Sequence, residues 1–277
     1  METHSVKALI QTALNEDIGS GDITTDNLID PKLTGRCVIM AKEPMVLAGI
    51  DIARQVFQHL DTGMEFQALL SDGDTADTGA SLAHVQGNLA ALLKGERTAL
   101  NFLQRLSGIA TNVAAHVRVL EGSPVQLVDT RKTTPGWRVL EKYAVRVGGA
   151  HNHRMGLYDG VLIKDNHIAA FGGVAASISH IRKYVSHLVK IEVEVSTLTQ
   201  VEEALKVGVD VIMLDNMTLA DIKKAVAVIQ HAALVEVSGN VTQAKLPALA
   251  DTGVDIISIG ALTHGARSVD ISMRIKE

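Results

Sequence analysis

The stretch from Asp129 to His167 gathers residues suited to holding an anion: DTRKTTPGWR, then GGAHNHRMGLYDG, then VLIKDNH. Between Arg131 and Lys164 lie seven basic residues (Arg131, Lys132, Arg138, Lys142, Arg146, Arg154 and Lys164) against two acids, Glu141 and Asp159. The whole chain carries a net charge of −5, so this is a local inversion of sign. Arg131, Lys132, Arg154 and Lys164 fall at the ends of strand-like runs or in Gly-rich connections, where a ligand can reach them. Arginine suits carboxylates because its planar fork bonds both oxygens at once. His153, in a Gly-rich loop beside Arg154, reads either as a structural histidine or as part of the same binding group. Lys164 has a second reading as a Schiff-base nucleophile. Arg138, Lys142 and Arg146 repeat every four residues and read instead as one solvated stripe of a helix. A small, multiply anionic ligand is the partner this pattern predicts.

Such residues need a scaffold that brings them to one place. Six short apolar runs follow one another: Val125–Asp129, Gly160–Lys164, Lys190–Ser196, Asp210–Asn216, Ala233–Asn240 and Asp255–Ala261. Segments rich in Ala, Lys and Glu separate most of them. Strand–helix alternation with buried-type strands predicts parallel βα units, and without a dinucleotide fingerprint it predicts an incomplete β/α barrel. Each run ends in polar chemistry, which in such barrels forms the active-site face. Thr130 lies beside Arg131 in the first of these ends. Glu192 and Glu194 share one strand face; Glu194 is predicted to reach the pocket and Glu192 to lie a layer deeper, beside a buried cation. With Asp215 on the next strand, Glu194 makes a carboxylate pair suited to Mg²⁺ or sugar hydroxyls. Ser238-Gly239-Asn240 and Gly260-Ala261-Leu262-Thr263-His264 close the last two strands, where main-chain N–H groups can approach a phosphate.

The N-terminal part has a different texture. An amphipathic helix is predicted from Val6, Leu9, Ile10, Ala13 and Leu14, in place of a signal peptide. Strand candidates Gly35–Glu43 and Ala80–Gly87 flank helices and a turn cluster at Ser71–Gly79. Leu89 to Leu120 reads as helix with a soft break at Ser107-Gly108, and it carries Arg97 on a stripe with Asn101 and Gln104. Aromatics make up only 3% of the 277 residues, which with the acidic balance argues against nucleic-acid binding. No apolar run approaches the ~20 residues that cross a bilayer. The single cysteine, Cys37, fits a reducing cytoplasm and reads as an inert buried thiol.

These segments together resemble the quinolinate phosphoribosyltransferase family over nearly the full length. The resemblance rests on NEDIGSGDITT, GERTALNFLQRLSGIAT, DTRKTTPGWR, KYAVRVGGAHNHRMGLYDGVLIKDNH, EVEVS, IMLDN, EVSGN and SIGALTH. It implies an N-terminal α/β sandwich domain (1–107), an open β/α barrel (108–264) and a tail (265–277) returning to the first domain. The implied reaction joins quinolinate to phosphoribosyl diphosphate with Mg²⁺, giving nicotinate mononucleotide, diphosphate and CO₂. By the match, Arg131, His153, Arg154 and Lys164 hold the substrate's carboxylates, and Lys132 lies between the two substrates. Glu194 and Asp215 face the ribose and hold metal directly or through the diphosphate. Ser238, Gly239, Asn240, Gly260, Ala261, Leu262 and His264 surround the 5-phosphate. Arg97 is implied to reach the pocket of a neighbouring subunit, which makes a homodimer or larger assembly. The rival readings are a related transferase acting on nicotinate or another ring acid, a Lys164 aldolase and, last, a non-enzymatic ligand-binding protein.

Overall fold

The computed structural model describes residues 4–276. The chain divides into two compact units, one built from the chain up to Ala114, Thr133–Gly149 and the chain from Leu262, the other from Ala115–Lys132 and Ala150–Ala261.

The first unit opens with helix α1 (His4–Ile18), which buries Val6, Ile10 and Leu14 at helical spacing, and α2 (Ile23–Leu28), capped by the Asp22 carboxylate. Next come β1 (Thr34–Ala41), β2 (Met45–Val46), α3 (Ile50–Leu60), β3 (Glu65–Ala68), β4 (Thr75–Ala76), β5 (Ser81–Asn88) and α4 (Leu89–Val119). Helix α5 (Arg138–Val147) and strand β12 (Ile271–Lys276) belong to the same unit. Its sheet runs β12-β1-β5-β3 with antiparallel pairing throughout. The Ser71–Gly79 cluster is less irregular than its composition predicts, because Thr75–Ala76 pairs with β2.

Two readings of the sequence fail in this unit, each for a physical reason. Helix α4 runs unbroken through Ser107-Gly108. A Cβ on Gly108 would lie 2.0 Å from the Arg267 carbonyl oxygen, so this glycine admits a neighbouring main chain and does not break the helix. Lys142 is fully buried, not part of a solvated stripe. Its neighbour Glu141, also fully buried, takes hydrogen bonds from Arg105 Nη2 at 2.8 Å and Nε at 3.1 Å, and from Thr134 N–H and Oγ1 at 3.1 and 2.8 Å. Arg105 also donates to the carbonyls of Ala266 and Thr263 at 2.6 and 2.9 Å. One ion pair thus ties α4 to α5 and to the C-terminal segment. The face of α5 that reads as polar in sequence is therefore partly interior.

The second unit is the open barrel. It comprises β6 (Gln126–Val128), β7 (Val161–Ile163), α6 (Asp165–Phe171), α7 (Val174–Ile181), β8 (Ile191–Val195), α8 (Leu198–Lys206), β9 (Val211–Asp215), α9 (Leu219–Ile229), β10 (Leu234–Ser238), α10 (Leu246–Ala250) and β11 (Ile256–Ser258). The short α11 (Ala261–His264) follows β11. All six strands pair in parallel, in the order β6-β11-β10-β9-β8-β7. No ladder joins the end strands β6 and β7, so the barrel stays open. Val193 and Val195 are buried, as the alternation on β8 requires, which turns Glu192 and Glu194 to the opposite face.

Replacing Arg105 by Met strands Glu141 as a buried, uncompensated charge and is expected to cost about 3–5 kcal/mol. Denaturant unfolding measures this. The double variant Arg105→Met/Glu141→Leu is expected to recover part of the loss, because it removes both charges together.

Candidate active site

The loop that carries His153 and Arg154 is built on Asp129, at the end of β6. This fully buried carboxylate accepts the Asn152 side-chain amide at 2.7 Å and the His153 N–H at 2.9 Å. Asp159 then closes the following turn by accepting the Met155 and Gly156 N–H groups at 2.6 and 2.8 Å. Arg154 crosses the turn, with Nη1 donating to the Gly160 carbonyl at 3.0 Å. Burial, followed by the charge of Arg131, holds the Arg154 guanidinium below its ordinary value. Two guanidiniums therefore crowd one place, partly desolvated, and an anion between them relieves both penalties. Thr130 Oγ1 accepts the Lys132 N–H at 3.1 Å, turning the chain back at the end of this strand.

Lys164 follows β7, and its Nζ lies 2.7 Å from Glu194 Oε2. The Lys164 N–H donates to His167 Nδ1 at 3.0 Å, which fixes the start of α6. A nucleophilic amine needs an unshared lone pair, whereas this one is engaged with the Glu194 carboxylate. Asp215, at the end of β9, accepts the Asn216 amide at 2.7 Å on one oxygen. Glu194 is in register with Met213, and Met213 with Glu236, so all three occupy one row of the sheet. Glu192 does not meet a lysine or arginine directly; its Oε2 lies 3.0 Å from His153 Nε2.

Glu236 is the site residue that the sequence reading passed over. It is 2% exposed and its Oε2 lies 3.7 Å from His153 Nε2. Burial, then the neighbouring Glu192 charge, pushes its carboxyl up to about 7 from an ordinary 4.5. A signal existed: Val235-Glu236-Val237-Ser238 repeats Val193-Glu194-Val195-Ser196, and equivalent positions on parallel strands line one layer.

At the ends of β9 and β10 three neighbouring residues, Asn216, Gly239 and Asn240, have left-handed main chains, with φ of 54°, 88° and 49°. The Asn240 amide donates to Asn216 Oδ1 at 3.0 Å. A Cβ on Gly239 would lie 2.3 Å from that same oxygen, so only glycine fits beside half-buried Ser238. Gly260 and Ala261 follow β11 in the barrel unit and are half-buried.

The remaining expected residues lie in the first unit. Arg97 is exposed on α4. Leu262 is fully buried, and its carbonyl accepts from Asn112 Nδ2 at 3.1 Å. His264 is exposed at the end of α11. Cys37 is buried, and burial raises its thiol to about 11, consistent with an inert side chain. A cleft of about 490 Å³ beside β7 also touches Arg154, but Leu157, Leu162, Phe171 and Ile181 give it largely apolar walls unsuited to a dicarboxylate.

Cations and carboxylates on successive strand ends of an open barrel define an enzyme that handles anionic, phosphate-bearing substrates. Residues 22–107 match the N-terminal domain of quinolinate phosphoribosyl transferase and residues 109–274 its C-terminal domain. The chain belongs to this family. It is 44% identical over 270 residues to the probable nicotinate-nucleotide pyrophosphorylase [carboxylating] of Bacillus subtilis, covering 98% of this chain and 93% of that one. The protein of the same name from Synechocystis is 46% identical over 269 residues, covering 96% and 91%. The crystal structure of NadC from Streptococcus pyogenes superposes with a TM-score of 0.96 at 41% identity, over 100% of this chain and 98% of that one.

Because the native carboxyl of Glu236 titrates near 7 and the unfolded one near 4.5, the folded chain retains a proton that the unfolded chain has released. The stability this contributes is complete below about pH 4.5 and is lost as pH rises through about 7. Glu236→Gln removes that slope. Its melting temperature relative to the unaltered protein is expected to rise between pH 5 and pH 8, by circular dichroism in matched buffers.

Proposed function

We infer that this chain transfers the phosphoribosyl group of phosphoribosyl diphosphate to quinolinate with loss of CO₂, a step of NAD biosynthesis that yields nicotinate mononucleotide and diphosphate. The observation that carries this reading is the crowding of Arg131, just past β6, against half-buried Arg154 in the loop before β7, with carboxylates nearby. Such an arrangement fits a substrate with two adjacent carboxylates better than one with a single charge, and so favours quinolinate over nicotinate. The Lys164–Glu194 pair speaks against an aldolase.

The chemistry follows from this placement. Departure of diphosphate leaves positive character at the ribose C1, which Glu194 and Asp215 stabilise electrostatically while holding the hydroxyls. The pyridine nitrogen bonds to C1 as the C1–O bond breaks. The quaternised ring then accepts the electron pair of the C2–carboxylate bond, CO₂ departs, and a proton replaces it at C2. Arg131, Arg154 and Lys164 hold the carboxylates in line for these steps, which is mainly a matter of alignment. Lys132 faces the diphosphate, Thr130 borders it, and His153 supports Arg154. Ser238, Gly239, Asn240, Gly260 and Ala261 receive the 5-phosphate, with Leu262 and His264 assigned to it by family likeness.

Asp215 lacks a cationic partner among the described residues and keeps one oxygen outside its Asn216 bond, a hard donor that fits Mg²⁺. Glu194 joins it once Lys164 turns to substrate. When bound, Mg²⁺ supplies charge neutralisation at the departing diphosphate. Arg97 serves the site of a neighbouring subunit, so the working form is a homodimer or larger, in the cytoplasm.

Incubation with quinolinate, phosphoribosyl diphosphate and Mg²⁺ is expected to release nicotinate mononucleotide and CO₂ in equal amounts. Turnover of nicotinate without CO₂ would replace the substrate and keep the fold. Arg97→Ala and Lys164→Ala proteins are each expected to be inactive, and to regain activity on mixing through hybrid sites. No recovery after verified subunit exchange would refute the shared site.

A further inference from the structure

Beside the cationic loop, half-buried His153 meets two buried carboxyls, Glu192 and Glu236, that the transfer steps do not use. Nε2 of His153 lies 3.0 Å from Glu192 and 3.7 Å from Glu236. Its other ring nitrogen, Nδ1, accepts the main-chain N–H of Arg154 at 2.8 Å. A ring nitrogen that accepts a hydrogen bond carries the lone pair, so the ring proton resides on Nε2 and points at the carboxyl groups.

That tautomer decides between two uses of the trio. The three ligand atoms lie within 4.8 Å of one another, close enough for a cation. A metal at Nε2 needs the lone pair there, and the ring proton would then face the Arg154 N–H head-on. The main chain thus opposes a metal and favours a proton. A single N–H cannot balance two carboxylates that are 8% and 2% exposed. The charge of Glu192 is answered by Arg154, whereas no lysine or arginine pairs with Glu236 among the described residues. Of two neighbouring buried carboxyls, one gives up its proton late. Below about pH 7 that proton sits on Glu236, whose carboxyl lies within 4.8 Å of Glu192.

We propose that Glu236 is a positioning residue for quinolinate, acting through Glu192 and His153 on Arg154. It donates to Glu192, Glu192 receives the Nε2 proton of His153, and His153 Nδ1 fixes the Arg154 main chain. Arg154 is anchored a second time at the Gly160 carbonyl. Its guanidinium is thereby aimed before substrate arrives, and the ordering cost is met in folding. This inference rests on the quinolinate reading above.

Steady-state kinetics on the full-length protein test it. Glu236→Leu removes the donor and is expected to raise KM for quinolinate by about tenfold, with KM for phosphoribosyl diphosphate within about twofold. Glu236→Gln, whose amide donates as the acid does, is expected to bring the quinolinate KM back near its original value. Nitrogen-edited NMR of the unaltered protein is expected to show His153 with its proton on Nε2. This measurement needs neither turnover nor a folded variant. A proton on Nδ1 overturns the proposal. A folded Glu236→Leu protein with an unmoved quinolinate KM, or with both KM values raised alike, overturns it too. Failure of the unaltered protein to turn over quinolinate refutes the functional reading first, and the substrate named here with it, while the NMR result still reports on the clamp.

Discussion

Like charges gathered for one anion repel each other until it arrives, and the strand ends of this barrel are arranged around that repulsion. Arg131 and Arg154 disfavour each other, and Lys164 joins them from the next strand. The counterweight comes from below and beside: Asp129 holds the loop by its main chain, Glu194 pairs with Lys164, and Glu192 braces His153. The Glu194 carboxylate neutralises the Lys164 ammonium directly. Asp129 accepts a main-chain N–H and a side-chain amide, which fixes the geometry of the loop.

The parallel sheet makes this economy possible. In such a sheet every strand ends at the same edge, and alternation sends every second side chain to the same face. Glu194 and Glu236 fall in one row with Met213 between them, which keeps two acids of one layer apart by a neutral side chain. Glu192, a layer deeper, meets Glu236 instead, and there a shared proton replaces the missing cation. Partners, not depth, thus separate the two acids of that row: Glu194 pairs with Lys164, whereas Glu236 has Glu192 and His153 beside it.

The six strands were legible because buried parallel strands write themselves as short continuous apolar runs, and the cations because sign inversion stands out against an acidic chain. What stayed hidden depends on contacts distant in sequence. Lys142 reads as surface because its spacing matches Arg138 and Arg146; only the packing of α5 puts it inside. Gly108 reads as a helix break because nothing nearby announces the Arg267 main chain. Glu236 reads as one acid in an apolar run, and its role emerges once strand order places it near His153, more than eighty residues earlier in the numbering. Sequence reveals which residues can do chemistry more readily than which residues hold them still.

Strand β12 completes the first unit's sheet by pairing along β1 from Ala41 to Arg36. It is also synthesised after every strand of the barrel. During translation β1 therefore waits with one open edge while the barrel's strands, contiguous from Ala150 to Ala261 apart from β6, have already emerged. An open strand edge is a template for wrong partners. The protein thus has a built-in order of maturation, in which the barrel can assemble first and the sandwich is sealed late.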